Sequence, residues 1–305
     1  MNSKILSASL SLLFSVVITG CSGGGGGDTD TTAQGATDTV IALQAITGGA
    51  TKGPLTNANV AVYALSFDGG PVQVSSTAVD TGSTSGQAKI QDLALPFPLN
   101  PPYLLKFTAT ASTKDLSTCT NPADLSTCFA PILNTMSTVI TSKMLAAGQN
   151  IYATPLTSMA TNIALKQAAT DATQFKANLS TAAKQVASTL GFGMSSRIDI
   201  FNTPPLVDET TDTTDELGDT ASYRSAIEAV GAVVHEIQQN STATDATSVL
   251  DELSDDLAFD GVIDGQTASG TSEVVTSNTL QVFEQEPTTL VIPNSGGTTV
   301  AAVTT

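Results

Sequence analysis

Gly49-Ala50-Thr51-Lys52-Gly53-Pro54-Leu55-Thr56-Asn57-Ala58-Asn59-Val60-Ala61-Val62-Tyr63 carries the first architectural signal in the chain. Gly53-Pro54 has the composition of a tight turn, and Ala58 tolerates close packing. From Asn59 to Leu65 apolar residues fall on both faces, Val60, Val62 and Ala64 on one and Ala61, Tyr63 and Leu65 on the other, which reads as a strand. Working outward, Ile46 to Thr51 precedes the turn, and Asp68-Gly69-Gly70-Pro71 reads as the next one. Val72 to Val79, Gln87 to Leu93 and Tyr103 to Ala111 are further strand candidates, so residues 44–130 are expected to form a small antiparallel β-sandwich.

Beyond Pro131 the apolar spacing changes from two to near 3.6. Met136, Val139, Ile140 and Met144 make one helical stripe. Thr154-Pro155 reads as an N-cap with proline in the first turn, ahead of Leu156, Met159, Ile163 and Ala164. Phe175 to Leu190, Tyr223 to Ile237 and Val249 to Leu257 supply three more stripes, with Gly191 and Gly261 as stops. Five amphipathic helices over residues 131–265 predict a helical domain, and the fold class is α+β with two segregated domains. Residues 266–305 add isolated apolar runs, Glu273 to Phe283 and Thr289 to Ile292, and the last dozen residues are expected to be disordered.

Length and composition bound what such a chain can do. At 305 residues it can bury a core, but it has no Trp, only 5% aromatic residues and 13% charged residues, the profile of an extracytoplasmic protein with Ala- and Val-rich packing. The formal charge of −17 argues against nucleic acid and against anionic lipid surfaces as partners. Residues 1–206 hold ten acids and ten Lys+Arg, whereas residues 207–305 hold eighteen acids against Arg224 alone. The entire excess is therefore C-terminal. Part lies in Asp208 to Asp219, read as a loop, and a second cluster lies between Asp245 and Asp264.

Lys4 supplies a positive charge, Ile5 to Ile18 an apolar run, and Ile18-Thr19-Gly20-Cys21 closes it with small residues before a cysteine. This resembles the bacterial lipoprotein signal. The resemblance implies removal of residues 1–20 as a signal peptide, acylation of Cys21 and, with Ser22 rather than Asp next, an outer-membrane destination, facing periplasm or cell surface. Residues 21–43, with Gly23 to Gly27 and a Thr- and Asp-rich continuation, are expected to be a flexible tether. With Cys21 acylated, Cys119 and Cys128 remain as an even pair in an oxidising compartment, and a structural disulfide is expected between them. Each closes one copy of a repeat, Asp115-Leu116-Ser117-Thr118-Cys119 and Asp124-Leu125-Ser126-Thr127-Cys128.

The Gly49 to Tyr63 stretch also resembles the opening hairpin of carboxypeptidase regulatory-like, transthyretin-like domains, which are accessory modules without catalytic residues. Together with Tyr152 to Ala160 and Asp255 to Gly265, it is similar to lipoproteins that follow such a sandwich with a helical region. The resemblance implies an architecture and no particular activity.

No catalytic constellation stands out. Ser-x-x-Lys, His-Glu-x-x-His and Gly-x-x-x-x-Gly-Lys patterns are missing, and Gly82 to Gly86 has Thr where a nucleophile elbow carries Ser. His235 is the only histidine and falls away from the apolar stripe of its helix, which reads as a surface position. Asp255, Asp256, Asp260 and Asp264, with Asp251 and Glu252 nearby, are calcium-ligand candidates, yet they lack the alternating ligand pattern of an EF-hand. The sequence thus points to a non-enzymatic, membrane-tethered protein presenting a binding or structural surface, with an envelope or extracellular protein as a possible partner. A calcium-dependent adhesion protein and an envelope enzyme are the alternatives.

Overall fold

The computed structural model describes residues 41–44, 48–67, 70–74, 79–80, 93–96, 102–121, 123–147, 149–207, 211–285 and 289–303. The signal peptide, Cys21 and most of the tether lie outside these residues, as does the Gln87 to Asp92 part of the third strand candidate. The strands are β1 (Ile41–Gln44), β2 (Gly48–Ala50), β3 (Leu55–Thr56), β4 (Asn59–Ser66), β5 (Gly70–Gln73), β6 (Val79–Asp80), β7 (Leu93–Pro96), β8 (Tyr103–Thr108), β9 (Lys114–Asp115), β10 (Thr135–Ile140), β11 (Ile151–Ala153), β12 (Gln266–Thr267) and β13 (Gly270–Thr271). The helices are α1 (Ser142–Ala147), α2 (Pro155–Lys166), α3 (Ala172–Leu190), α4 (Thr214–Gln239) and α5 (Ala246–Asp260). The protein is α+β.

The main sheet is antiparallel in the order β10-β8-β4-β5, with β6 pairing the start of β4. β8 runs centrally: Val62 faces Leu105, and Leu105 faces Thr138 on the other side. β10 corrects the sequence reading. Met136, Val139 and Ile140 belong to a strand rather than to a helical stripe, and only Ser142–Ala147 turn helical after it. Five of its six residues are buried, so its apolar run satisfies a buried strand as well as a helix face. As an edge strand it leaves backbone groups unpaired, and α2 covers them: Ser137 N–H donates to Ser158 Oγ (2.9 Å) and Thr157 Oγ1 donates to the Ser137 carbonyl (2.9 Å).

This strand also bears on the expected boundary at 130/131. β10 lies beyond that boundary and completes the sheet, and Leu105, Phe107, Met136, Leu156, Met159, Val230 and Leu253 belong to one contiguous core. The sheet packs on helices, chiefly through β10 and α2, and α2 is buried along most of its length. The described residues thus form one core in which sheet and helices share side chains, in place of the two segregated domains expected.

Helix ends follow local chemistry. Thr154 caps α2 reciprocally with Thr157, with Pro155 in the first turn as expected. Gly261, at φ 92°, ends α5 in the left-handed region that glycine enters without strain. α4 starts at Thr214 under a Thr213–Glu216 capping box, so the second half of the acidic stretch read as a loop is helical, with Asp215 and Glu216 in the first turn where the helix dipole favours them. Asp245 caps α5, and the Ser248 N–H it accepts holds its carboxyl below the usual range. Asp245→Ala is expected to cost about 1 kcal/mol at neutral pH. Because the folded-state pKa is lowered, this contribution is present above the unfolded carboxyl value and shrinks as pH falls through the folded one. Thermal melts of both proteins at neutral and strongly acidic pH check this; a gap that widens in acid contradicts it.

Three further expectations are corrected. Residues 41–43, assigned to the tether, pair with β7 together with Gln44, and Gly70-Pro71, assigned to a turn, open β5. Residues 294–303, expected to be disordered, hold Val300 at 1% exposure in the core, beside Val282, Leu290 and Ile292. Among the described residues no helix is long and apolar enough to cross a membrane.

Candidate functional site

The turn at Lys52-Gly53-Pro54 is tied to the helices by buried charge. Lys52 Nζ lies 3.0 Å from Glu228 Oε2, and both side chains are 2% exposed. Arg224 Nε and Nη2 donate to Glu228 Oε1 at 3.0 and 2.6 Å, and Nη2 reaches the Lys52 carbonyl at 3.4 Å. The lysine stem runs over Gly231, where a Cβ would sit 2.7 Å from Lys52 Cε. At Gly53 a Cβ would run into the Asp115 carboxylate and the Ser117 hydroxyl, so this glycine is required by close approach. Burial pushes the Asp115 carboxyl above its usual range, against the opposing pull of Lys52 and the Ser117 hydroxyl. These charges join the turn, the disulfide loop and α4.

The repeat around the cysteines makes two matching 3-10 turns. Asp115 accepts the Ser117 N–H and Asp124 accepts the Ser126 N–H, and each cysteine follows its turn. The expected disulfide joins Cys119 to Cys128, with S–S at 2.04 Å. Replacing both by serine is expected to cost about 2–3 kcal/mol, from loop closure in the unfolded chain. Denaturant titration with and without reductant checks it, and wild type insensitive to reductant would contradict it.

The remaining site candidates do not come together. Asp255 pairs with Lys166, and Asp251 accepts from Asn162 Nδ2 (2.8 Å). Asp256 is inaccessible, accepts the Gly265 N–H (2.8 Å) and has its carboxyl raised by burial. Asp260 and Asp264 each take the backbone N–H two residues on. Among the described residues no group of three or more His, Cys, Asp or Glu is placed to hold a metal ion. His235 is half-buried rather than exposed, with an inaccessible Nδ1 that meets no hydrogen-bond partner among the described residues.

A concavity among the described residues lies elsewhere. A groove of about 650 Å³ lies between α1, one face of α3 and the segment 194–202. Met144, Leu179, Ala183, Met194, Ile198 and Ile200 give it apolar lining, and Lys143, Lys176, Lys184 and Arg197 supply cations. Four of the chain's eleven Lys and Arg residues thus line one groove of a protein with net charge −17. The α3 contribution follows helical spacing, with Lys176, Ser180, Ala183, Lys184 and Ala187 along one side of the helix.

The far wall is built by the turn after α3. Phe192 adopts φ 45°, an uncommon conformation for a side-chain-bearing residue, and the chain reverses there. The wall is then pinned to α4 twice. Inside, the buried Tyr223 hydroxyl donates to the Ile200 carbonyl (2.8 Å) and shares a hydrogen bond with Thr154 Oγ1 (2.9 Å). Outside, Arg197 Nε donates to Asp219 Oδ1 (2.8 Å). Burial raises the Tyr223 phenol well above its ordinary range, so it stays a neutral donor. Asp199, the one acid in the lining, is engaged with its own turn through the Phe201 N–H and Asn202.

Sequence reasoning missed this groove. A signal was present: α3 carries two lysines and no acid in a strongly acidic chain, with small alanines between them.

Comparison of the chain with protein-family models, with curated proteins and with solved structures gives no match.

Proposed function

We propose that the protein is a non-enzymatic binding protein of the bacterial envelope, held at the outer membrane through acylated Cys21 and presenting the α1–α3 groove to periplasm or cell exterior. The groove carries this reading: a preformed concave site with apolar lining and a few charged groups is the usual form of a small-molecule site, for which about 300–1,000 Å³ is typical. Among the described residues no nucleophile hydrogen-bonded to a base lies in it, and its acid is engaged with backbone, so the groove is suited to holding a ligand. The transthyretin-like resemblance falls on β2 to β8, which on this reading is a scaffold that supports the helical layer.

Two measurements test the proposal. Cells fed an alkyne-tagged fatty acid should label the wild-type protein in the outer-membrane fraction and leave Cys21→Ser unlabelled; an unlabelled wild type overturns the anchor. Native mass spectrometry of gently extracted protein should find a non-covalent small ligand that Ala183→Phe, which fills the groove, no longer retains. Equal retention by that variant overturns the groove as the binding site.

A further inference from the structure

We propose that the groove takes a long-chain carboxylate, a free fatty acid, with its chain along the apolar lining and its head among Lys143, Lys176 and Lys184; this rests on the binding-protein reading above. Charge complementarity is the first support. The three lysines are exposed and, among the described residues, none is ion-paired, although the chain has 28 acids to offer. They stand on two sides of the groove, Lys143 on α1 and Lys176 and Lys184 on α3. The apolar lining is the second. A ligand without an aliphatic body would leave the half-buried Ala183, Ala187 and Met194 facing water, whereas each methylene buried there contributes about 0.8 kcal/mol. Lysine stems extend that lining while the ammonium groups stay hydrated.

The head group follows from which cations are free. Arg197, the only guanidinium in the groove, gives its Nε to Asp219, which occupies the Nε side of the fork and neutralises part of its charge, whereas the three lysines have no counter-charge among the described residues. Lysines alone act as point charges, which suits a monovalent carboxylate. Arg197 thus serves the groove wall and the three lysines serve the ligand.

The test uses the processed chain, residues 21–305 carrying Cys21→Ser, which lacks both the acyl chains and the Ile5–Ile18 apolar run, and cis-parinarate as a fluorescent fatty-acid probe. Parinarate should bind saturably and be displaced by palmitate, but only weakly by hexadecanol. The triple variant Lys143→Glu, Lys176→Glu, Lys184→Glu should weaken palmitate on the order of tenfold or more while hexadecanol competition and the thermal melt stay unchanged. Ala183→Phe should abolish binding of both. Equal competition by hexadecanol and palmitate, untouched by the triple variant, overturns the carboxylate while leaving a lipid-binding groove. Stronger competition by a lysophospholipid of the same chain length overturns it in favour of a phosphate head. Binding that survives Ala183→Phe, or no binding of any amphiphile, overturns the groove reading with it.

Discussion

Glu228→Gln is expected to lower folding stability by about 3–5 kcal/mol, since it leaves a buried cation without its counter-charge. Lys52 reaches Glu228 through a path closed to water, and the second glutamate oxygen is already taken by Arg224. The amide would keep a neutral acceptor but would also place an NH2 donor against an ammonium or a guanidinium. Lys52 could then escape only by neutralising or by leaving the slot over Gly231, and either route loosens the 51–56 turn that pairs with β9. The double variant Lys52→Met, Glu228→Leu should cost less than the two single changes together, because no lysine charge is left buried against an apolar side chain, while the loss of the Arg224 contact to Glu228 remains. Denaturant unfolding of the four proteins reads this directly. A single-variant loss under about 1 kcal/mol, or strict additivity, would mean that water reaches the pair.

Met159→Ala is the second large effect, at about 2–5 kcal/mol for a cavity in a site that is fully inaccessible. Its size matters less than its distribution. α2 touches β10, α3, α4 and α5, so its loss of packing is expected to weaken sheet and helices together. Hydrogen exchange should therefore show β4 and β8 losing protection in the same denaturant range as α3 and α4. Wild-type protection in the strands beside opened helices would establish two independent units.

Legibility along the chain tracked the range of the deciding interactions. β4, β8 and the ends of α2, α3 and α5 are where residue chemistry places them, because alternation, a Thr-Pro start or a terminal glycine acts within a few residues. The disulfide was legible from cysteine count and repeat. The Thr135–Ile140 segment was not: its apolar residues fit a helix face or a buried strand, and only the free edge of β8 and the hydroxyls of α2 select the strand. Asp256 looked like a metal-ligand candidate because its neighbours in sequence are acidic, yet its partner is the Gly265 N–H nine residues on.

By itself, then, the sequence determined the helix stops, the two central strands, the covalent loop and the strong charge asymmetry, since each depends on neighbours in the chain or on simple counts. The tertiary structure alone decided that sheet and helices share one core, that Lys52 meets Glu228, and that cations from Lys143 to Arg197 gather around an apolar groove. Those outcomes depend on segments far apart in the chain arriving at the same place, and burial there changes what a charge or a methyl group contributes.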